Sequence, residues 1–124
     1  MTVELESEDA RALADLGFIA LSRGLDRHAA AIFEGLQAAR PNEEAGFIGR
    51  ALVDLARGDV ESALRILRAL PPSDAALTFL GMALIRHGDK AEARDTLGEV
   101  IRNDPDGSHG ATAKAMLAEL DSTR

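Results

Sequence analysis

Histidine is the side chain in this sequence best suited to bind a metal ion or to exchange protons near neutral pH. The chain has His28, His87 and His109 and no cysteine. None of the three histidines has a second ligand-type residue at a spacing typical of a zinc site. We therefore predict that the histidines lie in solvent near turns, and we predict no metal site.

Two other local patterns bear a partial likeness to ligand-binding loops. Asp104–Gly107 begins like a calcium loop but lacks the later ligands and the closing bidentate glutamate. The short glycine segments Gly46–Gly49 and Gly107–Gly110 have neither the preceding strand nor the lysine of a phosphate-binding loop. We predict that Asp104–Gly107 is a helix-terminating turn, that Gly46–Gly49 permits close helix packing and that Gly107–Gly110 is a loop. The sequence predicts no cofactor.

Groups that could act in acid–base or nucleophilic catalysis are present, but their spacing does not support an active site. Four carboxylates crowd the start of the chain, at Glu4, Glu6, Glu8 and Asp9. Such a run is typical of a solvated end. Ser22 and Ser62 have no neighbouring base in sequence. Because catalysis needs a concave polar pocket with perturbed groups, we predict that the protein is not an enzyme.

The charge balance and composition limit the kinds of partner. With 21 acidic and 14 basic residues the net charge is -7, which argues against a nucleic-acid or anionic-membrane surface. No apolar run approaches the length of a membrane span. The acidic start lacks the pattern of a signal peptide, and the absence of cysteine fits a reducing compartment. We expect a cytoplasmic protein with neither a membrane nor a nucleic-acid partner.

An internal repeat is the strongest pattern in the sequence. Gly24, Gly58 and Gly88 each follow an apolar run, and the first two are 34 residues apart. Alanine stands five residues after each glycine, a large apolar residue nine after and another twelve after: Ala29, Ala63 and Ala93; Phe33, Leu67 and Leu97; Leu36, Leu70 and Val100. This pattern predicts a helix, a glycine turn and a second helix, repeated three times.

The repeat resembles the tetratricopeptide repeat. The first hairpin matches that pattern at Leu16, Gly17, Ala20, Gly24, Ala29, Phe33, Leu36 and Pro41, and the third at Leu80, Gly81, Gly88, Asp89, Ala93, Leu97 and Pro105. The resemblance implies an all-α fold, a right-handed α-solenoid of three helical hairpins in a single domain spanning residues 1–124. The repeats would cover about residues 8–41, 42–72 and 73–106, and a capping helix about residues 108–121.

The middle repeat departs from the pattern. Arg50 and Ala51 replace its leucine and glycine, Asp54 replaces a small residue, and Pro71-Pro72 must end its second helix early. Arg50 and Asp54 are four residues apart on one helix. They could form an ion pair within the helix, or they could be a polar anchor at the edge of a binding groove.

A candidate groove follows from positions ten, six and three residues before each turn glycine. These positions hold Ala14, Phe18, Leu21, Ile48, Leu52, Leu55, Thr78, Met82 and Ile85. The family resemblance implies that these nine positions line the concave groove of a tetratricopeptide protein. Members that grip a C-terminal carboxylate have lysine and asparagine there, and this chain has neither. An apolar groove suits an amphipathic helix or an extended apolar segment of another protein. The alternative is that the chain's own last helix or a second copy covers the stripe.

Within that family, the middle and third repeats look like those of the tetratricopeptide chaperones of type III secretion, especially the chaperones of needle subunits. The residues that carry this likeness are Arg57–Pro71 and Ala83–Asp89. The resemblance would imply a cytoplasmic bacterial chaperone that keeps a self-polymerising subunit in its groove until export. The alternatives are a homodimeric or scaffold protein whose stripe is buried by self-association, and a regulatory module of another pathway.

Overall fold

The structure is a computed structural model that describes residues 5–122. The described residues form seven α-helices and no strand, which confirms the all-α fold class. The helices are α1 (Ser7–Ser22), α2 (Asp26–Ala39), α3 (Ala45–Ala56), α4 (Val60–Ala69), α5 (Asp74–His87), α6 (Lys90–Asn103) and α7 (Ser108–Ser122). The chain divides into two compact units, the first running to Ile66 and the second beginning at Leu67.

Each of the three predicted turns contains a glycine in the left-handed conformation between two helices. Gly24, Gly58 and Gly88 have φ angles of 75°, 84° and 95°, a region that other residues rarely adopt. After each glycine the next backbone N–H donates to a carbonyl five residues earlier, as from Asp59 to Asp54 at 2.8 Å. This bond satisfies a carbonyl that the end of the helix would otherwise leave unpaired.

The core of the first unit forms around Phe33, which is fully buried. Phe33 lies on α2, and its ring packs against glycines of both neighbouring helices: a Cβ added to Gly17 of α1 would lie 2.6 Å from the ring, and one added to Gly49 of α3 would overlap it. The two glycines therefore let α1 and α3 approach α2 closely enough to enclose an aromatic ring. Leu36 and Val53 extend the same cluster.

The second unit repeats this arrangement with an aliphatic side chain. Leu97 of α6 is fully buried, and a Cβ added to Gly81 of α5 would overlap its Cδ2 atom. Leu77, Val100 and Ala113 complete the cluster, so α7 belongs to the same core as α5 and α6. The sequence signal of a glycine in the first helix and a large residue in the second thus corresponds to one physical contact.

The proline pair shortens the middle hairpin as predicted. α4 has 10 residues, whereas α2 and α6 have 14 each. Proline lacks a backbone N–H and disfavours helical conformation in the residue before it, so α4 ends ahead of Pro71-Pro72. The next helix begins two residues later, where the Ser73 hydroxyl accepts a hydrogen bond from the Ala76 N–H at 3.0 Å and caps α5.

Candidate functional site

A cleft between α5 and α7 has the size and lining of a ligand-binding site. It has a volume of about 450 Å³, within the range of binding pockets and far larger than the water-sized voids of a packed core. The lining residues are Met82, Ile85, Arg86, Met116, Glu119 and Leu120. The whole cleft lies within the second unit.

Each wall of the cleft is one stripe of a helix. Met82, Ile85 and Arg86 are spaced three and four residues apart on α5, and Met116, Glu119 and Leu120 have the same spacing on α7. Leu120 is buried at 5% exposure, the two methionines and Ile85 are half-buried, and the two charged residues are exposed. The cleft therefore has an apolar floor with one cationic and one anionic side chain among its exposed lining residues.

The nine predicted groove residues divide into two groups by burial. Five are half-buried and present part of their surface to solvent: Phe18, Leu21, Leu52, Met82 and Ile85. The other four are buried: Ala14, Ile48, Leu55 and Thr78. Thr78 is 1% exposed, and its hydroxyl donates to the Asp74 carbonyl at 2.6 Å within α5. The buried group supports the helices from inside and offers no surface to a partner.

In the first unit, the half-buried groove residues of α1 pack against the core cluster around Phe33. The Phe18 ring lies 5.0 Å from the Phe33 ring, centroid to centroid, with the planes tilted by 58°. This geometry is typical of a stabilising aromatic pair. Leu21 packs against the same cluster. Phe18 and Leu21 are therefore surface residues that also hold α1 onto α2.

The polar pair of the middle repeat does not form the ion pair considered from the sequence. The Arg50 guanidinium donates from Nη1 to Gln37 Oε1 at 2.8 Å, which links α3 to α2. The Asp54 carboxylate accepts from the Ser62 hydroxyl at 2.7 Å, which links α3 to α4. The interpretation of Arg50 and Asp54 as an i,i+4 ion pair was therefore wrong, because each side chain reaches a different neighbouring helix. Neither Gln37 nor Ser62 carries a sequence signal that identifies it as a partner.

Two ion pairs that shift the pKa values of their members lie outside the lining of the cleft. At the end of α2, the Arg40 guanidinium binds the Glu43 carboxylate and donates from Nη1 to the Leu5 carbonyl at 2.6 Å. The hydrogen bond from Arg40 lowers the pKa of Glu43, and the same bond raises the pKa of Arg40. In the second unit, the exposed Arg68 guanidinium donates from Nη1 to Glu92 Oε2 at 2.8 Å, and this bond raises the pKa of Arg68. These pairs join helix ends and surfaces and do not assemble a catalytic group.

The histidines lie apart from any candidate metal cluster. His28 and His87 are exposed, and His109 is half-buried. Within residues 5–122 no group of three or more histidine, aspartate or glutamate side chains is placed to hold a metal ion. Over the same range, no helix combines the length and the apolar character that crossing a bilayer requires.

Comparison with known proteins identifies the repeat. A family model described as tetratricopeptide repeat matches residues 54–117, from the end of α3 into α7. No significant match was found among curated proteins or among solved structures. The matched segment covers just over half of the chain and includes α5, α6 and most of α7, the helices of the second unit. The chain belongs to the tetratricopeptide repeat family.

Proposed function

We propose that the cleft between α5 and α7 binds the apolar face of an amphipathic helix in another protein. Tetratricopeptide repeats generally mediate protein–protein interaction, and they are typically non-catalytic. The observation that carries the proposal is the pairing of half-buried Met82 on α5 with half-buried Met116 on α7 along an apolar cleft of about 450 Å³.

The chemistry of the lining favours a helical ligand. Methionine is unbranched and polarisable, so Met82 and Met116 can adapt to the irregular surface of an apolar helix face. Such a face presents side chains at positions i, i+3, i+4 and i+7, which suits a cleft bounded by two helices. Arg86 and Glu119 add one positive and one negative side chain to the lining.

The more specific role in our proposal is that of a cytoplasmic chaperone for a type III secretion subunit. It rests on the resemblance of Arg57–Pro71 and Ala83–Asp89 to such chaperones. A subunit that polymerises through an amphipathic helix would be held as a monomer while that helix occupies the cleft. Polymerisation of a needle subunit, followed by light scattering with and without an equimolar amount of this chain, tests the role. Unchanged polymerisation would remove the secretion role and leave helix binding intact.

A pair of substitutions on neighbouring residues of α7 tests the binding site. The probe is an amphipathic helical peptide selected from a random display library against the wild-type chain, with affinity measured by fluorescence anisotropy. Met116→Glu places a charge on the apolar lining and should weaken binding at least about 100-fold, because burying an unpaired carboxylate costs several kcal/mol. Ala115→Glu adds the same charge at the adjacent exposed position and should change the affinity less than about twofold.

Circular dichroism of both variants establishes that the helices are retained. Met116 packs against the core of the second unit, so Met82→Glu, on the opposite wall of the cleft, provides a second route to the same result. Wild-type affinity in both Met82→Glu and Met116→Glu would contradict the proposed site.

A further inference from the structure

The outer face of α1 carries apolar side chains that no helix within the described residues covers. Leu16 is 55% exposed and Ile19 is 49% exposed. With Leu25, which follows shortly after α1, they are the large hydrophobic side chains that the described part of the chain leaves most exposed. All three belong to the first hairpin, so the exposure is local.

In the repeat register, this face of α1 corresponds to a face of α3 that is covered by a helix. Adding the 34-residue repeat length, Leu16 corresponds to Arg50 and Ile19 to Val53 on α3. Arg50 is hydrogen-bonded to Gln37 of α2, and Val53, at 2% exposure, belongs to the core cluster around Phe33. The face of α3 that α2 covers is therefore the face that α1 leaves open.

The spacing along the open face is that of a coiled-coil seam. Five exposed residues alternate at intervals of three and four: Asp9, Ala12, Leu16 and Ile19 on α1, and Arg23 directly after its last residue. Side chains at this spacing form one narrow stripe along a helix. The apolar residues occupy the middle, an acid stands at one end and a base at the other.

The charges at the two ends specify what can pair with this stripe. If two copies of α1 pack antiparallel about a point between Leu16 and Ile19, each Leu16 meets Ile19 of the second copy. Arg23 then lies level with Ala12 of the second copy, and Asp9 of that copy is about 4.5 Å further along the axis, within reach of the guanidinium. A parallel pair would place Asp9 against Asp9 and Arg23 against Arg23, which is repulsive.

We propose that the chain forms an antiparallel homodimer through α1, with Leu16 and Ile19 at its centre and Asp9–Arg23 pairs at both ends. Two helices packed side by side form an interface at the small end of the range for protein complexes, so the expected dissociation constant is about 1 to 100 µM. The dimer needs no peptide ligand, and its test is therefore independent of the proposed binding cleft.

Sedimentation equilibrium of the full chain between about 1 µM and 1 mM tests the proposal. As the protein concentration increases, the average molecular mass should rise from the monomer value of 13.1 kDa toward twice that value, 26.2 kDa. Ile19→Lys should raise the dissociation constant at least about tenfold and leave the circular dichroism unchanged, because the side chain is half exposed in the monomer. A mass that stays at 13.1 kDa throughout, or a dimer indifferent to Ile19→Lys, would overturn the proposal.

A charge exchange tests the antiparallel arrangement. Asp9→Arg should weaken the dimer about tenfold, since the introduced guanidinium would face Arg23 of the second copy. It also reduces the net charge of each chain from -7 to -5, so a general decrease in repulsion would have the opposite effect. Adding Arg23→Asp should restore the wild-type affinity to within about threefold. Glu34→Arg, exposed on α2 and outside the stripe, makes the same change in net charge as Asp9→Arg and is the control. Failure of the second exchange to restore the dimer, or an equal loss from the control, would refute the pairing.

Discussion

The contact between Phe33 and the two neighbouring glycines gives a prediction of definite size. Gly49→Ala introduces a methyl group where the Phe33 ring already lies. Alanine is favoured over glycine inside a helix by about 1 kcal/mol, whereas overpacking a core costs about 1 to 3 kcal/mol. The net change in the free energy of unfolding should therefore lie between about zero and a loss of 2 kcal/mol.

Gly35→Ala is the matched control for this substitution. Gly35 lies inside α2, is exposed and has no neighbour within 4 Å of an added Cβ. Gly35→Ala should raise the free energy of unfolding by about 1 kcal/mol, the full preference of a helix for alanine over glycine, and the melting temperature by about 4 °C. The difference between the two variants, about 1 to 3 kcal/mol in urea unfolding followed by circular dichroism, measures the collision with Phe33.

Adding Phe33→Leu tests whether the collision is the cause. The smaller side chain should make Gly49→Ala less costly, with a coupling free energy of about 1 kcal/mol in the double-mutant cycle. If Gly49→Ala stabilised the protein as much as Gly35→Ala, or if the cycle showed no coupling, the close packing of α3 on Phe33 would be refuted.

Three further substitutions test individual contacts by urea unfolding. Ser73→Ala removes the cap of α5 and should cost about 1 kcal/mol, and no loss would show that the cap is dispensable. Ser62→Ala breaks the hydrogen bond to Asp54 between α3 and α4 and should also lower the free energy of unfolding by about 1 kcal/mol. An unchanged free energy of unfolding would contradict a stabilising role for this bond. Glu43 has a pKa lowered by Arg40 in the folded chain, so it stabilises the fold above its unfolded pKa, and this contribution is lost as the pH falls through the folded pKa. Between about pH 7 and pH 3, Glu43→Gln should therefore lose less stability than the wild type, and equal losses would count against the Arg40 contact.

Much of the fold could be predicted because its signals are local. The turn glycines need only their own left-handed backbone conformation, and Pro71-Pro72 end α4 by removing a donor from the chain. The pairing of Gly81 with Leu97 follows from the repeat register, since the same two positions meet in the first hairpin as Gly17 and Phe33. Each of these features is fixed by a few residues close in sequence or by a fixed repeat offset.

The candidate site was harder to predict because periodicity assigns a residue to a helix face without showing what covers that face. Thr78 and Ile48 occupy groove positions by spacing but are buried. Met116 and Leu120 belong to the predicted capping helix, yet they form one wall of the cleft in the structure. Arg50 and Asp54 bind partners on different helices, a choice that depends on helix packing and not on their spacing of four.

Methionine methyl resonances test the central claim most directly, that the cleft between α5 and α7 binds an amphipathic helix. The chain has three methionines, and Met82 and Met116 both line the cleft, whereas Met1 lies outside the described residues. In protein labelled with ¹³C at the methionine methyl groups, titration with the selected helical peptide should shift the Met82 and Met116 signals along one common binding curve. Binding of the peptide with both signals unmoved would contradict the account.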